Sequence, residues 1–413
     1  MNYADTAFLL ICTVLVIFMT PGLALFYGGL ERRKNMVSNM MNVAFNMGLG
    51  VVMWIAFGYT MCFGGNTGGV LGGLNHFFLS GLNYADPSPD LATVPSMVYV
   101  VFLMAFAVIT PVIIAGSVSG RMKFKALFIF TGLWSLVVLY PMFHMVWGEG
   151  GLIGSGWLGA LDFAGGDAIH ISSGVSGLVL CILLGKRRGF EHKAYNVHNI
   201  PLVVLGASIV WIGWFGFNGG CALEASAWTG HVFMTTAAAS GAAVLSWMII
   251  DVVKSGKPTI IGLCTAAIVG LVAVTPAAGF VSVWAALVIG LCASPFCFYG
   301  MYLVKRILKI DDTLDAFGCH GLGGIFGGIM TGIFANPAVN AAPAGLFYGG
   351  AEQFFRNLAG VGVAILYAVA GTLICAGITR LFGKMRVDHE DELRGLDIAE
   401  HGEKAYPSFS GLD

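Results

Sequence analysis

Eleven apolar runs follow one another along this chain, separated by polar breaks. Each is long enough to cross a bilayer, which takes roughly 20 mostly apolar residues. They lie at about 6–30, 37–63, 96–120, 126–147, 163–185, 199–219, 230–253, 259–277, 282–305, 316–335 and 357–383, and a polar tail fills 384–413. The pattern predicts an all-α polytopic membrane protein with eleven transmembrane helices. Lys and Arg then set its orientation, because they collect on the cytoplasmic side. With eleven spans, one face receives Arg32-Arg33-Lys34, Arg121/Lys123/Lys125, Lys186-Arg187-Arg188 with Lys193, Lys254/Lys257, Lys305-Arg306/Lys309 and Arg380/Lys384/Arg386. Arg394 and Lys404 of the tail join them, and only Arg356 falls opposite. The expectation is an outside N-terminus and a cytoplasmic C-terminus; an even number of spans would scatter the clusters. Asp5 precedes an apolar run too long for a signal-peptide core, so no cleaved leader is expected. The stretches 64–95 and 336–356, rich in Gly, Pro and Asn, read as structured outer loops.

Eleven spans divide as five, five and one. The first halves would run from 6–185 and 199–335, with the eleventh helix at 357–383, giving a membrane domain over 1–383 and a separate tail. Two five-helix halves of odd length enter the membrane from opposite sides, which is an inverted repeat and places a site near the midplane between the halves. His170 falls in span five and His320 in span ten. Each follows an aspartate in a Gly-rich run, Asp162 in the first case and Asp315 in the second. A protonatable group at such depth marks an ion or proton pathway by default. Two neutral imidazoles in contact can share and relay a proton, since each offers one donor and one acceptor. Asp162 is placed to cap free N–H groups at the start of span five and to draw cations to a vestibule. Asp167, one turn before His170, needs a partner or a proton if buried. His144 reads as structural. Phe102 and Phe106 share a helix face, and Trp147 and Phe217 end spans four and six. Such aromatics form an interfacial belt or a cage for a small cation.

Composition sharpens this picture. Hydrophobic residues make up 57% and charged residues 10% of the 413, against about 25% charged in soluble domains. The net charge of −1 gives no reason to expect nucleic acid. The nine cysteines have neither metal-ligand nor disulfide spacing, and no cofactor is expected. No phosphate loop, nucleophile elbow or zinc cluster appears, which argues against an enzyme. The 59 glycines fit close helix packing.

Several motifs in order resemble the ammonium transporter/methylammonium permease/Rhesus family. They are Asp162-Phe-Ala-Gly-Gly-x-x-Ile-x-x-x-Ser173-Gly174-x-x-Gly177-Leu178 ending in Gly185-Lys186-Arg187, then Asp311-Asp312 through Asp315 to His320, Ile212 to Asn218, and His144 to Trp147. The tail from Arg394 to Tyr406 and Pro407 is similar to the microbial and plant branch. The resemblance implies an ammonium transporter of the inner cell membrane, with methylammonium as a substrate analogue. It implies an outer ammonium site of Trp147, Phe106 and Phe102, with Cys221 where the family usually has serine. It implies a gate of Phe106 and Phe217, a pore and proton relay of His170 and His320, and support from Asp162. It also implies a homotrimer and a regulatory tail on which PII-type signal proteins dock. Two other readings compete: an ammonium sensor signalling through its tail with little flux, and a haem-bearing redox protein using the paired histidines.

Overall fold

A computed structural model describes residues 1–88, 91–190 and 197–406. Ten helices in it are long and apolar enough to span a membrane: α1 (Tyr3–Leu30), α2 (Arg33–Phe63), α3 (Ser96–Val118), α4 (Phe124–Trp147), α5 (Gly166–Leu184), α6 (Ile200–Gly220), α7 (Ala227–Ser255), α9 (Val283–Ile307), α10 (Phe317–Phe334) and α11 (Ala351–Leu381). A shorter apolar helix, α8 (Ile260–Val274), lies between α7 and α9. Among the described residues there is no strand, only isolated bridges such as Thr67↔Leu71 and Pro87↔Pro95 in the stretch before α3. Lys193 and the tail from Pro407 onward lie outside the described residues.

Each apolar run became a helix because a bilayer leaves no other way to satisfy its backbone. The ends were set by local chemistry that hydropathy does not register. α8 stops before the apolar run does, because Pro276 has no N–H to continue the ladder. α11 starts earlier than the run, so the loop expected over 336–356 ends before Ala351. Its first turns are polar but anchored: Gln353 donates to the Gly159 carbonyl at 3.0 Å and Arg356 pairs with Glu352. Side-chain caps begin other helices. Asn2 accepts from Ala4, Asn199 from Leu202 and Thr259 from Gly262.

The tail folds back on the bundle as α12 (His389–Arg394) and α13 (Leu396–His401), broken by Gly395 at φ 104°. It is stitched to the tail-side ends of α2 and α4 and to the α5–α6 connection. The Ser38 N–H donates to Asp397 at 2.8 Å, the Phe124 N–H to Glu400 at 3.0 Å, and the Arg188 N–H to Glu392 at 2.7 Å. The α1–α2, α3–α4 and α5–α6 connections therefore share one face of the molecule with the tail.

Candidate functional site

Both histidines stand in widened turns that begin their helices. Gly166–Ile171 and Phe317–Gly321 are π-helical, a geometry that re-aims side chains and recurs at functional sites. Each turn hangs from a carboxylate. Asp162 accepts four backbone N–H groups, those of Gly165, Gly166, Asp167 and Ala168, at 2.7–3.2 Å. The partner of this residue in the second turn is Asp312, not Asp315. Asp312 accepts from the N–H groups of Phe317 and Gly318, at the same five- and six-residue offsets, and from the Ser117 hydroxyl. His170 and His320 each lie eight residues beyond these capping aspartates. Asp315 corresponds instead to Gly165: both have positive φ, 56° and 114°, and each carbonyl accepts the N–H four residues on. The Asp315 side chain turns away to Lys305 at 2.7 Å. The sequence comparison of Asp162 with Asp315 was three residues out of register, because Asp315 is the nearest acid before His320.

α5 and α10 cross with their backbones almost touching. A Cβ on Gly174 would collide with the backbone of Gly321, and one on Gly324 would lie 3.0 Å from the Cβ of His170. This close crossing brings the imidazoles together. Their Nδ1 atoms are 3.2 Å apart, so one ring donates and the other accepts. His170 is 1% and His320 5% exposed. The His170 ring stacks on Trp214 at 5.5 Å and 22°, and Trp214 is held by a bond to Thr275, which in turn reaches Asn218. Trp214 was visible in the sequence only as one of a run of aromatics; nothing there paired it with His170.

The space around the histidines is narrow and apolar. It is lined by Leu23, Ile109, Ile113, Val210, Ile268 and Phe217, among others, and leaves about 20 Å³ open to the centre of a water-sized molecule. That is room for about one such molecule. It does not hold a macrocycle, so the residues do not fit haem. Phe217 and Phe106 meet at 4.6 Å beside it. Phe106 also touches Trp147 at 6.2 Å and Phe102 at 5.0 Å. Trp147 donates to the Asp162 carbonyl at 3.4 Å, joining the aromatic cluster to the first capping turn. Phe102 is wholly buried behind Phe106. Cys221 is half-buried, and its thiol donates to the Phe217 carbonyl at 3.3 Å.

Two other sequence candidates resolve separately. His144 is wholly buried and its Nδ1 lies 2.7 Å from the Cys62 carbonyl, a structural post at the end of α4. Asp167 points away from the pore, toward Gly360 of α11, and its Oδ1 has no hydrogen-bond partner.

On the tail side of the histidines a vestibule of about 590 Å³ opens, lined by Phe26, Leu314 and Cys319 with Lys305, Arg306 and Lys309. Its wall is fixed by a buried ion cluster. Arg187 holds Asp311 by two side-chain bonds of 2.7 and 2.8 Å, and Arg121 donates to the Asp311 carbonyl and to Thr313. Burial pushes the Asp311 carboxyl up, but the bonds and charge of Arg187 with the charge of Arg121 outweigh it and leave the group below the ordinary carboxylate range.

The helical bundle, with its ten helices long and apolar enough to cross a bilayer, defines a multi-pass membrane protein. The Ammonium Transporter Family model matches residues 7–406. The chain is 43% identical to an ammonium transporter of Bacillus subtilis over 408 residues, 98% of this chain and 99% of that one. Its fold is similar to the crystal structure of Saccharomyces cerevisiae Mep2, with a TM-score of 0.88 and 33% identity over 94% of this chain and 88% of that chain. It is also similar to a structure described as a sensor Amt protein, with a TM-score of 0.88 and 27% identity over 97% and 98%. The chain belongs to the Ammonium Transporter Family, a family of transporters and not of enzymes.

Proposed function

We propose that this protein moves ammonium across the inner cell membrane by stripping its proton and conducting ammonia. The observation that carries the reading is the His170–His320 contact inside a narrow, mostly apolar cavity, beside the Phe106 and Phe217 rings that meet at 4.6 Å and 53°. A bare ammonium ion is far too costly to place in such a lining, whereas ammonia is close to water in size. In this reading Trp147 and Phe106 offer π faces to the arriving cation, worth about 0.5–2 kcal/mol each, Phe102 backs Phe106, and Cys221 adds a weak polar contact. Asp162 holds the turn behind Trp147 and biases the mouth toward cations. Phe106 and Phe217 form the gate. His170 and His320 hydrogen-bond ammonia and relay the proton.

The reading includes an inverted repeat of two five-helix halves over about 6–185 and 199–335, with the eleventh helix added and the N-terminus outside. The matching offsets of Asp162–His170 and Asp312–His320 support it. It also includes a cytoplasmic tail from 384, a homotrimeric assembly, and a PII-type signal protein docking on the tail-side face.

The deciding experiment is an ammonium-pulse current on proteoliposomes of the purified protein, for the native chain and for a His170→Ala/His320→Ala variant. The expected result is a saturable native current that collapses, or admits potassium, in the variant. Unchanged rate and selectivity in the variant would overturn the relay. The likeness to a sensor Amt protein favours one alternative, a receptor that binds ammonium and signals through the tail. Ammonium binding without current or pH-linked flux would select it.

A further inference from the structure

One stripe of α2 is polar where the helix is buried. Asn35, Asn39, Asn42 and Asn46 recur at helical spacing and share a face, and all four are buried. Asn39 and Asn46 fall in phase with Gly50, which sits against Val108 of α3, and Asn35 lies against Gly120 just past the end of α3. The neighbour at Gly50 is therefore an aliphatic surface that supplies no polar side chain, whereas the tail-side end at Gly120 also has Glu31 and Arg187 beside it. Both amide atoms of Asn39, and the carbonyl oxygens of Asn42 and Asn46, have no hydrogen-bond partner within the protein.

Two residues of α1 are in the same condition. The hydroxyls of Thr20 and Tyr27 are buried and unpartnered. α1 and α2 form an antiparallel hairpin in which Asn35 bonds Glu31 at 3.5 Å and Gly28 lies against Met36 and Met40. Continuing that register puts Tyr27 level with Asn39 and Thr20 level with Asn46. Gly116 of α3 gives clearance beside the Tyr27 hydroxyl, where a Cβ would stand 2.9 Å away. This register aligns the unpartnered hydroxyls of α1 with the asparagine stripe of α2, and Tyr27 beside Gly116 of α3.

Buried polar atoms are satisfied by protein or by bound water in nearly all folded proteins. We propose that this seam is a water-binding site, a file of bound water entering from the tail-side face and ending near the midplane. From Asn35 to Asn46 it covers roughly 16 Å of helix, about half of a hydrocarbon core of about 30 Å. Each water, making two to four bonds, links amides on successive turns to the hydroxyls of α1. The file is separate from the narrow apolar passage at the histidines. Its mouth is closed by the tail: the Leu396 N–H donates to Asn35 Oδ1 at 3.0 Å, and Asp397 accepts the Ser38 N–H one turn further in. The tail is thus the stopper of a hydrated seam.

A crystal structure of the full chain at high resolution tests the site directly. The expected result is solvent density within hydrogen-bond distance of Asn39 and Asn46. Amides turned onto backbone carbonyls, with no density between them, overturn the proposal. Radiolytic hydroxyl-radical labelling in solution tests the stopper, read at Tyr27 against Trp54, which is as buried but bonded to the Val100 carbonyl. Tyr27 is expected to oxidise several-fold faster than Trp54, and faster still in Asp397→Ala, a substitution confined to the tail, while Trp54 keeps its native rate. Equal rates at Tyr27 and Trp54 overturn the water file. A Tyr27 rate unmoved by Asp397→Ala overturns the tail's part in it.

Discussion

The turn before His170 and the turn before His320 follow one plan with different dressing. In both, a carboxylate eight residues upstream gathers backbone N–H groups, a left-handed residue follows three positions later, and a π-helical turn presents the imidazole. The first turn spends its whole carboxylate on backbone: Asp162 takes four N–H groups, and the left-handed position is Gly165. The second is shared with side chains. Asp312 takes two N–H groups and the Ser117 hydroxyl, and the left-handed position is Asp315, tied to Lys305. The backbone geometry is what the two histidines require in common. The charges differ because one turn adjoins the aromatic cluster and the other a vestibule lined by Arg187, Lys305 and Asp315 itself.

Unequal effects of equal substitutions can break this comparison. Asp162→Ala strands four donors, and a bond to a charged group contributes about 1.5–3 kcal/mol. It is expected to cost at least about 3 kcal/mol and abolish flux, while Asp312→Ala costs about 2 kcal/mol. Thermal unfolding in detergent reads both, and the reverse order would show that the second turn is the stronger. Next in size is the crossing that unites the two turns. Gly174→Val drives a side chain into the Gly321 backbone and is expected to cost about 1–3 kcal/mol, with loss of current from the separated imidazoles. Retained stability and current would mean that the crossing is not what sets the pair.

The left-handed position sharpens the comparison further. Asp315→Gly keeps the turn and loses only a partly exposed ion pair, so its stability should stay within about 1 kcal/mol of the native chain. Asp315→Val forces a β-branched residue into left-handed geometry and should cost about 1–2 kcal/mol. Equal stability of the two variants would separate Asp315 from Gly165. The smallest effect is expected at Cys221. Replacing its thiol by the stronger hydroxyl of serine should tighten ammonium binding a few-fold, by about 0.5–1 kcal/mol. Unchanged affinity in a competition assay would remove Cys221 from the outer site.

The apolar runs were legible because a bilayer imposes one length on every span, so α1 to α11 stand close to where hydropathy puts them. The family was legible from motif order, and the burial of both histidines from the apolar runs that hold them. Asp312 was not, since its turn lacks the Gly-Gly pair that marks Asp162, and Asp315 is the nearer acid. Trp214 was not, because its contact with His170 exists only after α6 and α5 pack. The polar start of α11 was missed because hydropathy counts Glu352 and Arg356 against a span and does not see their pairing.

The contact between the two Nδ1 atoms makes the pair directional. One hydrogen lies between two nitrogens, so the ring that donates it has a bare Nε2 and the ring that accepts it carries its hydrogen at Nε2. The pair exists in two mirror tautomeric forms, and the stacking of Trp214 and Phe217 on His170 alone makes them unequal in energy. In the proposed relay, a proton handed from one ring to the next leaves the pair inverted. It must turn over before it can serve another proton travelling the same way, so each passage leaves a one-bit record that has to be erased.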